Sequence, residues 1–235
     1  MNKILKNYKK NGFAIVNIGQ HNKLRQLRKN WISKFDEIYS ELKSTRIKND
    51  QDLIREEKRK ERNLFVAVFN LLHLDPLIYE LSSSKKILNI VKKFEVNSPH
   101  HGTRPYIRVD FPNDKKHSFF DLHQDFPYNN HSLNSLVVWI PLQNTGIKEG
   151  CLRVSKKSHK GRKIYKTDKN LIIKKKNSFK LEDVELKLGQ ALIFSEFLIH
   201  SSGNNISNKI RFSVQLRFTD LSKKEYMLRG YPVKR

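Results

Sequence analysis

His123 and Asp125 stand two residues apart in the segment LHQDFPY. On a β-strand, residues i and i+2 face the same side, so this spacing predicts an imidazole and a carboxylate entering one cavity together. Such a pair is common by chance and supplies only part of a metal site. A third donor follows downstream, where LGQALIFSEFLIHSSGNN places a glycine turn, an apolar strand and then His200. Two imidazoles and one carboxylate on one face of an octahedron leave three positions open, the donor set of non-haem Fe(II) sites that activate oxygen. Beyond it, KIRFSVQLRF reads as a strand with Arg211 and Ser213 on one face. A guanidinium offers a planar fork that suits a carboxylate, and the serine adds one more donor.

These residues need a scaffold that brings distant segments together. From about Phe94 onward, short apolar runs alternate with turn residues: Tyr106 to Phe111, Phe119 to Leu122, Ser135 to Leu142, Leu152 to Val154, Glu185 to Leu188, Ala191 to Phe194 and Ile210 to Phe218. Many short strands at this spacing predict a sandwich or barrel. The first half reads differently. Gly12 to Ile18 is a strand, and Leu24, Leu27, Trp31 and Phe35 recur at helical spacing in a helix from about His21 to Lys60. Asp50 to Arg62 within it is mostly charged and reads as a solvated helix or a mobile segment. Asn63 to Leu74 and Ser84 to Phe94 read as further helices, separated at Asp75-Pro76. The expected architecture is a mainly β double-stranded β-helix (jelly roll, cupin-like) with a helical N-terminal half packed on it. It is read as a single domain, with helical support over 1–98, the jelly-roll core over 99–220 and a tail over 221–235.

Composition narrows the classes. Of 235 residues, 37% are hydrophobic and 10% aromatic, enough for a packed core and against wholesale disorder. Cys151 is the only cysteine, so no internal disulfide forms and a reducing, cytoplasmic setting is expected. No apolar run is long enough for a signal segment or a membrane span. The net charge of +24 raises nucleic acid, an anionic surface or an anionic substrate as partners. Lysine is spread along the whole chain, which equally suits solvated faces. The densest stretch, Lys156 to Lys176, holds ten Lys or Arg against the single acid Asp168.

The motifs from Pro105 to Phe218 resemble those of the phytanoyl-CoA-dioxygenase-like Fe(II)/2-oxoglutarate oxygenases. His123-Gln124-Asp125 matches the family's H-Q-D segment, and Trp139-Ile140-Pro141-Leu142 its W-[IV]-x-L strand end. Glu149-Gly150-Cys151-Leu152-Arg153-Val154-Ser155-Lys156-Lys157-Ser158-His159 matches N-G-x-L-x-V-x-P-G-S-H, except that Lys156-Lys157 replaces Pro-Gly. A distal histidine, an arginine eleven residues on and a small hydroxyl two further correspond to His200, Arg211 and Ser213. The resemblance implies Fe(II) on His123, Asp125 and His200, with 2-oxoglutarate and O2 as co-substrates, the former held by Arg211 and Ser213. It implies hydroxylation of a C–H bond in a small molecule, with release of succinate and CO2. Related halogenases lack the carboxylate ligand, so Asp125 favours hydroxylation.

Other positions stay open between two readings. Trp139 sits where the family has an aromatic beside the co-substrate, and equally suits the jelly-roll core. Phe126 and Tyr128 border the cavity or pack in the core. Arg108 and Asp110 share a strand face and meet substrate or co-substrate, or simply pair with each other. His131 and His117 are substrate-contact candidates in loops. Gln124 is expected to face away from the metal, and Cys151 to be a small core residue. The expected substrate is a small molecule (an acyl-CoA, sugar, amino acid or natural product), and the Lys156 to Lys176 stretch would suit an anionic one. The alternative is a basic nucleic-acid-binding or nucleic-acid-modifying jelly-roll protein, although no recognition helix or RNA motif is visible. Oligomeric state is not legible.

Overall fold

The computed structural model describes residues 2–58, 62–114, 120–174 and 178–231. His117, the start of the run at Phe119, and Lys175-Lys176 fall outside them. The helical half contains α1 (Asn2–Asn11), α2 (His21–Lys43), α3 (Asp50–Lys58), α4 (Arg62–Leu72), α5 (Pro76–Ser82) and α6 (Lys85–Lys92), with strand β1 (Phe13–Asn17) after the first helix. The rest contains β2 (Pro99–His101), β3 (Tyr106–Asp110), α7 (Phe126–Asn129), β4 (Leu136–Pro141), β5 (Leu152–Val154), β6 (Glu182–Val184), β7 (Gln190–Ser195), β8 (His200–Ser202), β9 (Arg211–Asp220) and α8 (Lys224–Leu228).

The chain forms two antiparallel sheets. The larger has the order β1-β7-β4-β9-β2, with β3 also paired to β9; the smaller has the order β6-β5-β8. β9 organises the larger sheet through its alternation. Phe212, Val214, Leu216 and Phe218 are fully buried on one face, in one cluster with Leu24, Trp31 and Phe35 of α2 and with Phe65 and Val68 of α4. The opposite face carries Arg211, Ser213, Gln215 and Arg217 toward the second sheet. Between the sheets, Val137, Trp139, Leu192 and Phe194 of the large one cluster with Leu152, Val154 and Val184 of the small one. This is the double-stranded β-helix, with the helices covering the outer face of its larger sheet.

Several boundaries differ from the sequence expectation. The long helix ends at Lys43, where Ser44 takes the left-handed region at φ 51° and terminates it. The charged segment after it is α3, tied down by buried Leu53 and by Asp50, which accepts from Ile210 N at 3.0 Å. Asp75-Pro76 starts a helix: Asp75 caps α5 by accepting from Leu77 N at 2.9 Å, and Pro76 occupies its first turn. The strand expected at Glu185 to Leu188 lies at Glu182–Val184, and α1, β2 and α8 were not anticipated.

Gly150 sets the approach of β5 to β8. It lies at φ +74°, and a Cβ there would come within 2.6 Å of Gly203 O and 2.8 Å of Asn205 N. Both backbone strain and the clash oppose a side chain. Gly150→Ala is expected to destabilise the protein by more than about 1 kcal/mol, read as a lower denaturation midpoint with unchanged slope.

Candidate active site

His123 and His200 are joined by the backbone. Each amide donates to the other's carbonyl at 3.0 Å, an isolated antiparallel bridge that ties the H-Q-D segment to the first residue of β8. The H-Q-D geometry differs from the expected strand. Only His123 is extended; Asp125 lies at φ −75°, ψ −28° and opens α7. The two side chains meet because the chain turns a corner between them, so the i, i+2 rule names the right pair for the wrong local reason.

Nε2 of His123 lies 3.6 Å from Oδ1 of Asp125, and the ligand atoms of His123, Asp125 and His200 lie within 4.8 Å of one another. All three residues are buried. Each imidazole donates from Nδ1 to a carbonyl two residues back, His123 to Asp121 O at 2.7 Å and His200 to Leu198 O at 3.0 Å. That leaves both Nε2 lone pairs pointing at the carboxylate. Burial, followed by the neighbouring His123, pushes His200 down to about 3, so it is neutral at pH 7. Burial alone would raise Asp125; the Arg217 guanidinium, the largest opposing influence, holds the carboxyl far below the usual range. Two lone pairs and a carboxylate thus converge with no proton donor between them, which a cation makes favourable. Phe120 packs edge-on against His123 with centroids 4.2 Å apart, and Phe194 against His200 at 4.7 Å.

Further along the same inner face, Arg211 is almost fully buried. Its Nε and Nη2 donate to one oxygen of Asp110 at 3.1 and 2.7 Å. The other oxygen of Asp110 accepts from Arg108 at 2.6 Å. Burial would raise the Asp110 carboxyl, but these two guanidiniums hold it below its usual range. The fork of Arg211 is therefore turned to Asp110, and only Nη1 remains for a ligand. Nη1, Ser213 Oγ and Trp139 Nε1 are all buried and have no hydrogen-bond partner among the described residues. Arg211 lies over the Trp139 ring at 5.8 Å. Three unpartnered donors in one place suit an anionic ligand, since a buried unmet donor costs about 1–3 kcal/mol.

A cavity of about 790 Å³ opens over the metal site. His123, Asp125, His200, Phe120, Tyr128 and Leu152 contribute to its walls, and so do Thr103, Arg104, Arg108 and Arg217. The remaining expected contacts lie elsewhere. His131 is wholly buried and donates to Glu196 at 2.8 Å; Asn129 and Ser135 also bind that carboxylate. Phe126 stacks on Phe197 at 4.1 Å. Asp110 serves the two arginines. Gln124 donates to Phe197 O at 2.7 Å and to Lys163 O at 2.9 Å, which fastens the lysine-rich loop to the metal segment. None of the described residues of that loop lines the cavity. Its basic wall comes instead from Arg104 and Arg217, which the sequence did not single out. Arg217 shares the phase of Arg211, six residues earlier on the same strand, and that was the available signal.

The sequence matches the model of the family phytanoyl-CoA dioxygenase over residues 8–213, and the chain belongs to that family. Its fold is shared by solved non-haem enzymes. The α-ketoglutarate-dependent epimerase SnoN from nogalamycin biosynthesis is 13% identical at a TM-score of 0.61, covering 93% of this chain and 80% of that one. EvdO2 from Micromonospora carbonacea var. aurantiaca, solved with 2-oxoglutarate, is 14% identical at 0.61, covering 93% and 90%. The non-haem monooxygenase ThoJ, as its nickel complex, is 18% identical at 0.61, covering 92% and 77%. None of the curated proteins is similar enough in sequence to count as a match. No single described helix is long and apolar enough to cross a membrane; the bent pair α4–α5 passes that test only jointly, and Phe65, Val68, Leu72, Ile78 and Leu81 within it are buried.

His200→Ala and Asp125→Ala are each expected to weaken Co(II) or Ni(II) binding by more than tenfold in a calorimetric titration. Cys151 is buried, and burial pushes its thiol up to about 11. It should resist iodoacetamide at pH 8 in the native protein and react once the protein is unfolded.

Proposed function

We propose that this protein is an Fe(II)/2-oxoglutarate-dependent oxygenase that hydroxylates a C–H bond of a small molecule. One observation carries the reading: a buried two-histidine, one-carboxylate cluster shares the inner face of the sheets with three unpartnered donors around Arg211. His123, Asp125 and His200 would hold the iron. Arg211 through Nη1, with Ser213 Oγ, would hold the far carboxylate of 2-oxoglutarate against the Trp139 ring. Iron with 2-oxoglutarate and O2 supplies the oxidising power, and the keto acid leaves as succinate and CO2.

The protein's own part is positioning and exclusion of water. The backbone bridge and the two Nδ1 hydrogen bonds hold both imidazoles in the ligating orientation. Asp110 holds Arg211 in one direction. Phe120, Leu152 and Tyr128 give the cavity apolar walls. Asp125 fills the third protein position, which favours hydroxylation over halogen transfer. Neighbours named as an epimerase and a monooxygenase share this fold, so hydroxylation rests here on Asp125. A cavity of about 790 Å³ lies in the range of small-molecule sites, roughly 300–1,000 Å³. That favours a small molecule over a nucleic acid, whose phosphates would need an open basic track.

The test is an anaerobic titration of the Fe(II) protein with 2-oxoglutarate. A visible charge-transfer band is expected, and succinate should form once substrate and O2 are supplied. No band, together with no succinate from any metabolite pool, would sink the assignment. Arg211→Ala should raise the 2-oxoglutarate requirement at least tenfold; an unchanged requirement removes Arg211 from that role.

A further inference from the structure

Arg217 is a cation that the co-substrate site leaves unused. It lies six residues from Arg211 on β9, so their Cα atoms are roughly 20 Å apart along the strand. The far carboxylate of 2-oxoglutarate, held at Arg211, cannot reach this arginine as well. The Arg217 guanidinium stands beside the metal site, with Nε 3.7 Å from Oδ2 of Asp125. That separation exceeds hydrogen-bond length. Nε is shielded from solvent and has no hydrogen-bond partner among the described residues. Gln215 Oε1 accepts from Nη2 at 3.0 Å, and the Tyr106 ring lies under the guanidinium at 5.9 Å, so the group is braced and does not swing freely.

A second unmet donor belongs to the same cavity wall. Gly102 N donates to the carbonyl of Arg217 at 3.0 Å, which brings the corner between β2 and β3 against this end of β9. Thr103, the next residue, lines the same cavity, and its Oγ1 is likewise shielded and unpartnered among the described residues. Arg104 follows, exposed at the cavity wall. Were Arg217 only a brace for Asp125, it would close to hydrogen-bond distance, and Thr103 would have no reason to leave a buried hydroxyl unmet.

We propose that Arg217 and Thr103, with Arg104 behind them, form an anion subsite that docks a carboxylate of the substrate beside the metal. Two unmet donors, one of a guanidinium and one of a hydroxyl, match the two oxygens of a carboxylate. Because Arg217 adjoins Asp125, the oxidised carbon lies within a few bonds of that carboxylate. This rests on the oxygenase reading above and gives its substrate a class: a small carboxylic acid.

The experiment uses the inert Ni(II) protein. Its titration with 2-oxoglutarate comes first; failure there counts against the oxygenase reading and not against the subsite. The protein saturated with 2-oxoglutarate is then screened by thermal shift and calorimetry. The probes are short aliphatic, aromatic and amino-acid carboxylates, each beside its primary amide and beside the phosphate ester of the matching alcohol. Wild-type protein should bind at least one carboxylate tenfold or more tightly than its amide, and Arg217→Met should erase that preference. Thr103→Val should weaken it several-fold, which keeps the test open if Arg217→Met does not fold. Equal binding of acids and amides, a preference for the phosphate esters, or a preference that survives both substitutions would overturn the proposal.

Discussion

Strand β9 can occupy only one register, and both the core and the site depend on it. Its outward residues fill the space beneath α2 and α4, while its inward residues carry two guanidiniums, a hydroxyl and an amide. A slip of one residue would exchange the faces. Arg211 and Arg217 would then enter an apolar layer, where an unpaired charge costs several kcal/mol, and four large apolar side chains would point at the metal cavity. The hydrophobic packing of the helical half thus also fixes where the polar groups of the site stand. Among the described residues, the helices of the N-terminal half line no part of the cavity, yet their packing decides which face of β9 looks into it.

Charge inside the protein is organised differently from charge on its surface. The net charge of +24 is carried mostly by solvated side chains. Beyond about 8–10 Å, physiological salt screens such charges from each other. Beside the metal cluster, Arg108 and Arg211 pair with Asp110, and Arg217 stands beside Asp125. Each of these two carboxylates is held ionised by guanidiniums at close range.

Much of this was legible in the sequence, for identifiable reasons. The three candidate metal ligands and Arg211 stand out because residue type and spacing survive in a linear reading. The period-2 run through Ser213 to Phe218 and the helical spacing of Leu24 to Phe35 reveal the two halves of the fold. Boundaries were less legible. Ser44 ends α2 by adopting a left-handed backbone, which a serine does not advertise. Asp75-Pro76 was read as a separator, although aspartate before proline is also a helix start. Tertiary proximity was hidden. Asp110 is 101 residues from Arg211, and only the β3–β9 register brings them together. His131 looked available as a loop histidine because nothing local announces Glu196 as its partner.

The two Nδ1 hydrogen bonds to carbonyls two residues back have a consequence for how an ion would arrive. Each imidazole has already chosen its tautomer and ring orientation when the chain folds. The orientational entropy of the ligands is spent in forming the β-bridge and is not charged again to binding. A metal entering such a site meets imidazoles whose rings are already oriented. Such a pre-set donor group would discriminate among divalent ions by donor type and coordination geometry more than by rearrangement of the protein around them.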